Sequence, residues 1–190
     1  MAQKRNPLII SISSLVLASL ACTIFIGGPD YPAQTIPVSP DEVTNMQAQI
    51  EEAFLAGAET GVVTMQITEN QLTSYFALKM QSLPNPPFTE PLVLLRDGQM
   101  QLYGKVSSGV FTANMLVSMS VGIDPSTGLP SITIATADFG PIPAPEGLNT
   151  AISSIIAEAF TGSFGPVATG IRIETISIAD GKMTLVGRIK

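Results

Sequence analysis

The sequence predicts an α+β fold: a long, curved, mainly antiparallel sheet wrapped on amphipathic helices. Three observations predict it. Behind capping residues at 39 and 68, apolar residues recur at helical spacing. From residue 92 onward the apolar period drops to two. Asp97-Gly98 and Asp180-Gly181 then join neighbouring runs through two-residue turns, which only antiparallel strands can use. Helices do not alternate regularly with strands, so a parallel doubly wound sheet is excluded.

The elements follow in order. Ser39-Pro40-Asp41-Glu42 is a helix start, with Ser39 as cap, Pro40 in the first turn and Glu42 closing a capping box. Val43, Met46, Ile50, Ala53, Phe54 and Gly57 follow at helical spacing, giving a first helix over about 40–59 that Gly61 stops. Val62–Thr68 alternates as a strand. Thr68-Glu69-Asn70-Gln71 is a second capping box, and Leu72, Phe76 and Met80 form the apolar face of a helix running to about Gln81. Pro84, Pro86 and Pro87 end it.

The strand region opens with Leu92–Arg96. Met100, Leu102, Gly104 and Val106 return on one face after Asp97-Gly98. Ser107-Ser108-Gly109 turns into the longest run, where Phe111, Ala113, Met115, Val117, Met119, Val121 and Ile123 share a face. Asp124–Gly128 turns again, and Ser131–Phe139 returns. A proline loop, Gly140–Pro145, leads to a third helix over Glu146–Phe160, with Leu148, Ile152, Ile155, Ile156, Ala159 and Phe160 inward. The last hairpin is Ile171–Ala179 and Lys182–Lys190. Ile171 and Ile173 are out of phase with Ile176 and Ile178, which requires a bulge near Glu174-Thr175.

The N-terminus reads differently. Lys4 and Arg5 precede an apolar run, Pro7–Ala21, that ends in small residues directly before Cys22, the only cysteine. A basic start, an apolar stretch and a small residue before the cut form an export signature. Ala21-Cys22 resembles a lipobox, in which the thiol is acylated and becomes the first residue of the mature protein, although Ser19 stands where Leu is usual. The apolar character also continues to Gly28. The 22 residues from Pro7 to Gly28 would alternatively span a bilayer uncleaved as a signal anchor. Both readings put the remainder on the extracytoplasmic face of the cell membrane, with the basic end inside. The expected organisation is therefore 1–28 as signal or anchor, 29–38 as a proline-rich tether, and 39–190 as one domain. As an extended spacer, Pro29–Pro37 would reach on the order of 30 Å.

Composition narrows the function. Histidine and tryptophan are absent, and the one thiol lies at the expected anchor. Ser-His-Asp and Cys-His nucleophile systems and His or Cys metal sites are thereby removed. The acidic pairs Asp41-Glu42 and Glu51-Glu52 fall on a helix surface, where solvation is their ordinary role. No cofactor is indicated and an enzyme is not expected. The chain's net charge of −6 becomes −8 once Lys4 and Arg5 are set aside, which argues against nucleic acid and against a polybasic grip on lipid headgroups. Charged residues are 13% and apolar residues 45%, so the domain hides much apolar surface or exposes some for use.

Methionine is the remaining signal. Met65, Met80, Met100, Met115, Met119 and Met183 all fall on faces assigned to the interior, with Phe88, Phe111, Phe139, Phe160 and Phe164 adding bulk. A flexible, polarizable lining suits variable apolar partners, and it also fills ordinary cores. The candidate lining of an apolar ligand site is Met65, Leu72, Phe76, Met80, Met100, Phe111, Met115, Met119, Ile152, Ile155 and Met183.

Four segments occur in a telling order: Val63–Leu72, Arg96–Gly104, Asp138–Pro145 and Ile176–Leu185. Together they resemble the YpmS family of membrane-anchored bacterial proteins, and are similar to YceB-like lipoproteins. The resemblance covers about residues 62–190 and leaves the first helix outside. It implies a relationship to the tubular lipid-binding (TULIP) superfamily, whose rolled sheet around a helix holds lipid. It carries no catalytic residue. A membrane-tethered protein that binds or shuttles a lipid or other apolar molecule is the expectation. The alternative is an envelope scaffold or interaction lipoprotein with a filled core. The protein partner is not indicated.

Overall fold

The computed structural model describes residues 23–124, 129–162 and 170–189. The elements are β1 (Ile24–Phe25), α1 (Pro40–Gly57), β2 (Val62–Thr68), α2 (Glu69–Ser82), β3 (Thr89–Arg96), β4 (Gln99–Ser108), β5 (Phe111–Ile123), β6 (Pro130–Asp138), α3 (Leu148–Thr161), β7 (Ile171–Ala179) and β8 (Lys182–Ile189). The fold is α+β, as expected, and forms one domain. Cys22, Phe164, the Phe160 side chain and the turn at 125–128 lie outside the described residues.

The strands form two sheets rather than one. The larger runs β1-β5-β4-β3, with β6 also on β5, and the smaller runs β2-β8-β7. β1 and β6 share one edge of β5: β1 pairs parallel with Phe111-Thr112, and β6 pairs antiparallel from Leu116 onward. The other pairings are antiparallel. The division follows from β8, which takes β2 on one side and β7 on the other and so closes the second sheet. One core of buried side chains is shared by both sheets and all three helices.

Local chemistry explains the turns. Asp97 and Gly98 have φ of 53° and 74°, and Asp180 and Gly181 have 51° and 72°. Two successive left-handed residues are what a tight hairpin of right-twisted strands requires. The expected bulge is present: the β7–β8 register shifts between Ile173 and Thr175, which lets both Ile173 and Ile178 face inward.

α2 forms the predicted capping box. The Gln71 amide donates to Thr68 Oγ1 at 3.3 Å, and the Thr68 amide donates to Gln71 Oε1 at 2.9 Å. The start of α1 differs from expectation. Ser39 Oγ accepts from the Asp41 amide at 3.2 Å, but the Ser39 amide donates to Ser74 Oγ at 3.1 Å rather than to Glu42. A neighbouring helix thus satisfies the donor that a capping glutamate would have taken.

The segment expected to be a tether is docked. Tyr31 and Ile36 pack on Leu92, Leu94 and Tyr103 across the outer face of the large sheet. The Tyr31 hydroxyl donates to the Glu90 carbonyl at 2.7 Å, and Asn114 Nδ2 donates to the Pro29 carbonyl at 3.0 Å. The cause is visible in β3. Val93 and Leu95 enter the core, so Leu92 and Leu94 face outward and need their own cover. Residues 24–28, grouped by the sequence with the apolar N-terminus, instead continue along β5. Ile26 donates to the Thr112 carbonyl at 2.9 Å, and Asn114 donates to the Gly27 carbonyl at 2.9 Å. At Gly28 (φ 113°) a Cβ would collide with the Asn114 backbone, so glycine permits this close approach. No helix among the described residues is long and apolar enough to cross a membrane.

Candidate functional site

The sequence points to the interior, and the structure brings those residues inside. Met65, Leu72, Phe76, Met80, Met100, Met115, Met119, Ile152, Ile155 and Met183 are all buried in one core. Phe111 is the exception, at 44% exposed. It starts β5 beside the Gly109 turn, pairs with Ser108, and joins no part of the buried cluster although its strand phase points inward. Periodicity fixes the face of a strand and says nothing of where its cover ends.

Beside Phe76 the buried residues leave little space. The void lined by Met46, Ile50, Ile67, Leu72, Phe76, Met100, Ile156, Ala159 and Met183 has a volume of about 20 Å³. That is room for about one water, where ligand pockets run to ~300–1,000 Å³. Met65, Met80, Met115, Met119, Ile152 and Ile155 pack elsewhere in the core. Met115 illustrates the packing. It lies opposite Gly104, and a Cβ on that glycine would stand 3.3 Å from Met115 Cε and 3.1 Å from Phe88 Cδ2.

α2 departs from the predicted amphipathic form. Leu72, Phe76 and Met80 face inward as expected, but Glu69, Gln71, Thr73 and Ser74 are buried too. These polar groups are spent on neighbours. Thr73 Oγ1 accepts from the Val93 amide at 3.0 Å, and Glu69 Oε1 accepts from the Leu95 amide at 2.7 Å. Val93 and Leu95 lie on the edge strand β3, which has β4 as its strand neighbour. Residues 69 and 73, one helical turn apart, therefore close the edge that a third strand would otherwise occupy. α2 is a central helix joined to a sheet edge.

Glu69 is also paired with Arg96 through both terminal guanidinium nitrogens, Nη1 and Nη2, and Arg96 Nη1 donates to the Leu95 carbonyl at 2.9 Å. Glu69 is 8% exposed and lies in the first turn of α2, where the helix dipole favours an anion. A Cβ on Gly181 would come within 3.5 Å of both Arg96 Nη1 and Glu69 Cδ, so the β7–β8 turn sits directly over the pair. Further along α2, Lys79 is paired with Glu158 of α3 at 2.7 Å. Tyr75 OH donates to the Ile155 carbonyl at 3.4 Å. Burial, and then the Glu158 charge, push the Tyr75 hydroxyl up from its ordinary 10.0 to about 12. Burial and then Glu90 also raise Tyr31.

Around the Glu69–Arg96 pair opens a cleft that sequence reasoning missed. Its volume is about 940 Å³. α1 lines it with Glu42, Asn45, Ala48, Gln49 and Glu52, the α2 cap with Thr68–Gln71, and the two Asp-Gly turns with Leu95, Arg96, Asp97, Asp180, Gly181 and Lys182. Gln71 Nε2 donates to Gln49 Oε1 at 3.0 Å and fixes the floor. Five carboxylates face two cations, and Arg96 is already committed to Glu69. The cleft is thus wet and net acidic. Among the described residues no group of His, Cys, Asp and Glu is placed to hold a metal ion. The one available signal was that the capping box and both Asp-Gly turns carry acids, and only the fold brings these distant segments together.

No protein-family model, curated protein or solved structure matches this chain.

Proposed function

We propose that this chain is an extracytoplasmic interaction module, tethered to the cell membrane by its N-terminal segment and acylated at Cys22. Its filled core serves as a scaffold and its acidic cleft receives a basic segment of a protein partner. The observation that carries this reading is the contrast of volumes: about 20 Å³ in the interior void beside Phe76, Met100 and Met183 against about 940 Å³ in the polar cleft. An acyl chain does not fit the void beside Phe76 and Met183, which favours the filled-core reading over the carrier. The docking of residues 24–28 on β5 favours an anchor that ends at Cys22 over a span reaching Gly28. Negative potential in a cleft steers cationic partners and sets specificity more than raw affinity.

The test is a photo-crosslinking amino acid placed at Gln49 or Asn70, both exposed in the cleft, in the full chain in its host membrane. A control is placed at exposed Thr64 on β2. A discrete protein adduct from the cleft positions is expected, absent from Thr64 and lost when Asp97 and Asp180 are both changed to Lys. Equal adducts from cleft and control, or adducts indifferent to the charge reversal, would refute the cleft as the partner site.

A further inference from the structure

Large apolar side chains gather in solvent at one end of β5. Ile24 and Phe25 are 51% and 57% exposed, and Val110 and Phe111 are 48% and 44% exposed. They form one patch. The Ile24 amide donates to the Val110 carbonyl at 2.7 Å, and Ile24 lies beside Phe111 in parallel register. Ile24 and Phe111 share one face of the sheet and Phe25 takes the other, so the patch wraps round the tip. No charged residue occurs within 23–29 or 106–114, the two segments that build this corner.

Three observations say what covers it. The proposed acylation site, Cys22, lies two residues before Ile24. At ~3.3–3.6 Å per residue, the thiol lies within about 7 Å of chain from the patch. The entry is also held rigidly, because the Gly27 and Pro29 carbonyls are both bonded to Asn114 and Gly28 is pressed on its backbone. Finally, the chain beyond residue 21 carries −8, so its contact with a lipid surface must be apolar rather than electrostatic, and this corner is uncharged.

We propose that the Ile24–Phe25–Val110–Phe111 corner inserts into the bilayer interface and fixes the orientation of the domain on the membrane. The inference rests on the membrane-tether reading above. It also places the cleft. β4 runs from Gln99 beside the Asp97-Gly98 turn to Ser108 beside the corner, about 30 Å at the usual strand rise. With the corner down, the acidic cleft faces away from the lipid.

The chain contains no tryptophan, so Phe111→Trp makes a unique reporter. The full chain is reconstituted in neutral phosphatidylcholine vesicles, with plain or brominated acyl chains. Leu129→Trp, exposed and beyond the far end of β5, is the control. The Phe111→Trp emission should shift to the blue and be lost in brominated vesicles, while Leu129→Trp does neither. Addition of salt should leave the quenching unchanged. Val110→Trp gives the same readout should Phe111→Trp fail to fold. Unquenched emission from protein that floats with the vesicles overturns the corner contact and leaves the tether reading standing. A blue shift without quenching means that protein rather than lipid covers the patch, which also overturns it. Protein that does not float with the vesicles overturns both.

Discussion

Met115→Ala measures how full the interior is. Met115 is wholly buried on β5, opposite Gly104 and against the space that Phe88 fills. The substitution removes Cγ, Sδ and Cε, about 2.4 kcal/mol of transfer free energy at ~0.8 kcal/mol per methylene-sized group. If about 50 Å³ then stays empty, the cavity adds about 1.2 kcal/mol at ~24 cal/mol per Å³. The expected loss is therefore about 3.5 kcal/mol, within the ~2–5 kcal/mol seen when a packed methionine is truncated. Urea denaturation followed by circular dichroism reads it as a lower midpoint at unchanged slope. A loss below about 1 kcal/mol would mean that the thioether bordered open space, and would refute the filled core.

Other expectations follow from the same contacts. Thr68→Ala removes the side-chain acceptor of the Gln71 amide, one half of the α2 capping box, and should cost about 1 kcal/mol in the same urea assay. Glu69→Ala strands the buried Leu95 amide and should cost at least ~1–3 kcal/mol, while hydrogen exchange speeds at Leu95 and not at the β4–β5 amides. Tyr75 is protonated more firmly in the fold than in the unfolded chain, so its contribution is complete below pH 10. It is lost as pH rises from 10 to about 12, and Tyr75→Phe should flatten that part of the melting-temperature profile. A profile unchanged by Tyr75→Phe would assign the alkaline loss to other groups, Tyr31 among them.

Much of the fold was legible because its signals are local. The Thr68 capping box, the two Asp-Gly turns, the bulge before Thr175 and the inward methionines each follow from a few adjacent residues, and each is present. What escaped was non-local. Leu92–Leu95 is an unbroken apolar run among alternating strands, which calls for cover on both faces, yet nothing local says that Tyr31 and Ile36 supply it. Glu69 and Thr73 read as ordinary polar helix positions until β3 arrives beside them and their oxygens take its free amides. The cleft is the extreme case, since its lining comes from α1, the α2 cap and two turns far apart in the chain. Phe111 followed the right phase and still lies in solvent, because burial depends on what stands opposite.

The account turns on an interior closed to apolar ligands, and native mass spectrometry of the full chain, extracted from its host membrane in mild detergent, tests that most directly. The expected mass is that of residues 22–190 with their covalent acyl groups at Cys22 and nothing more. A lipid bound one-to-one that survives detergent exchange, and that is lost in Met119→Trp while the fold persists, would contradict it.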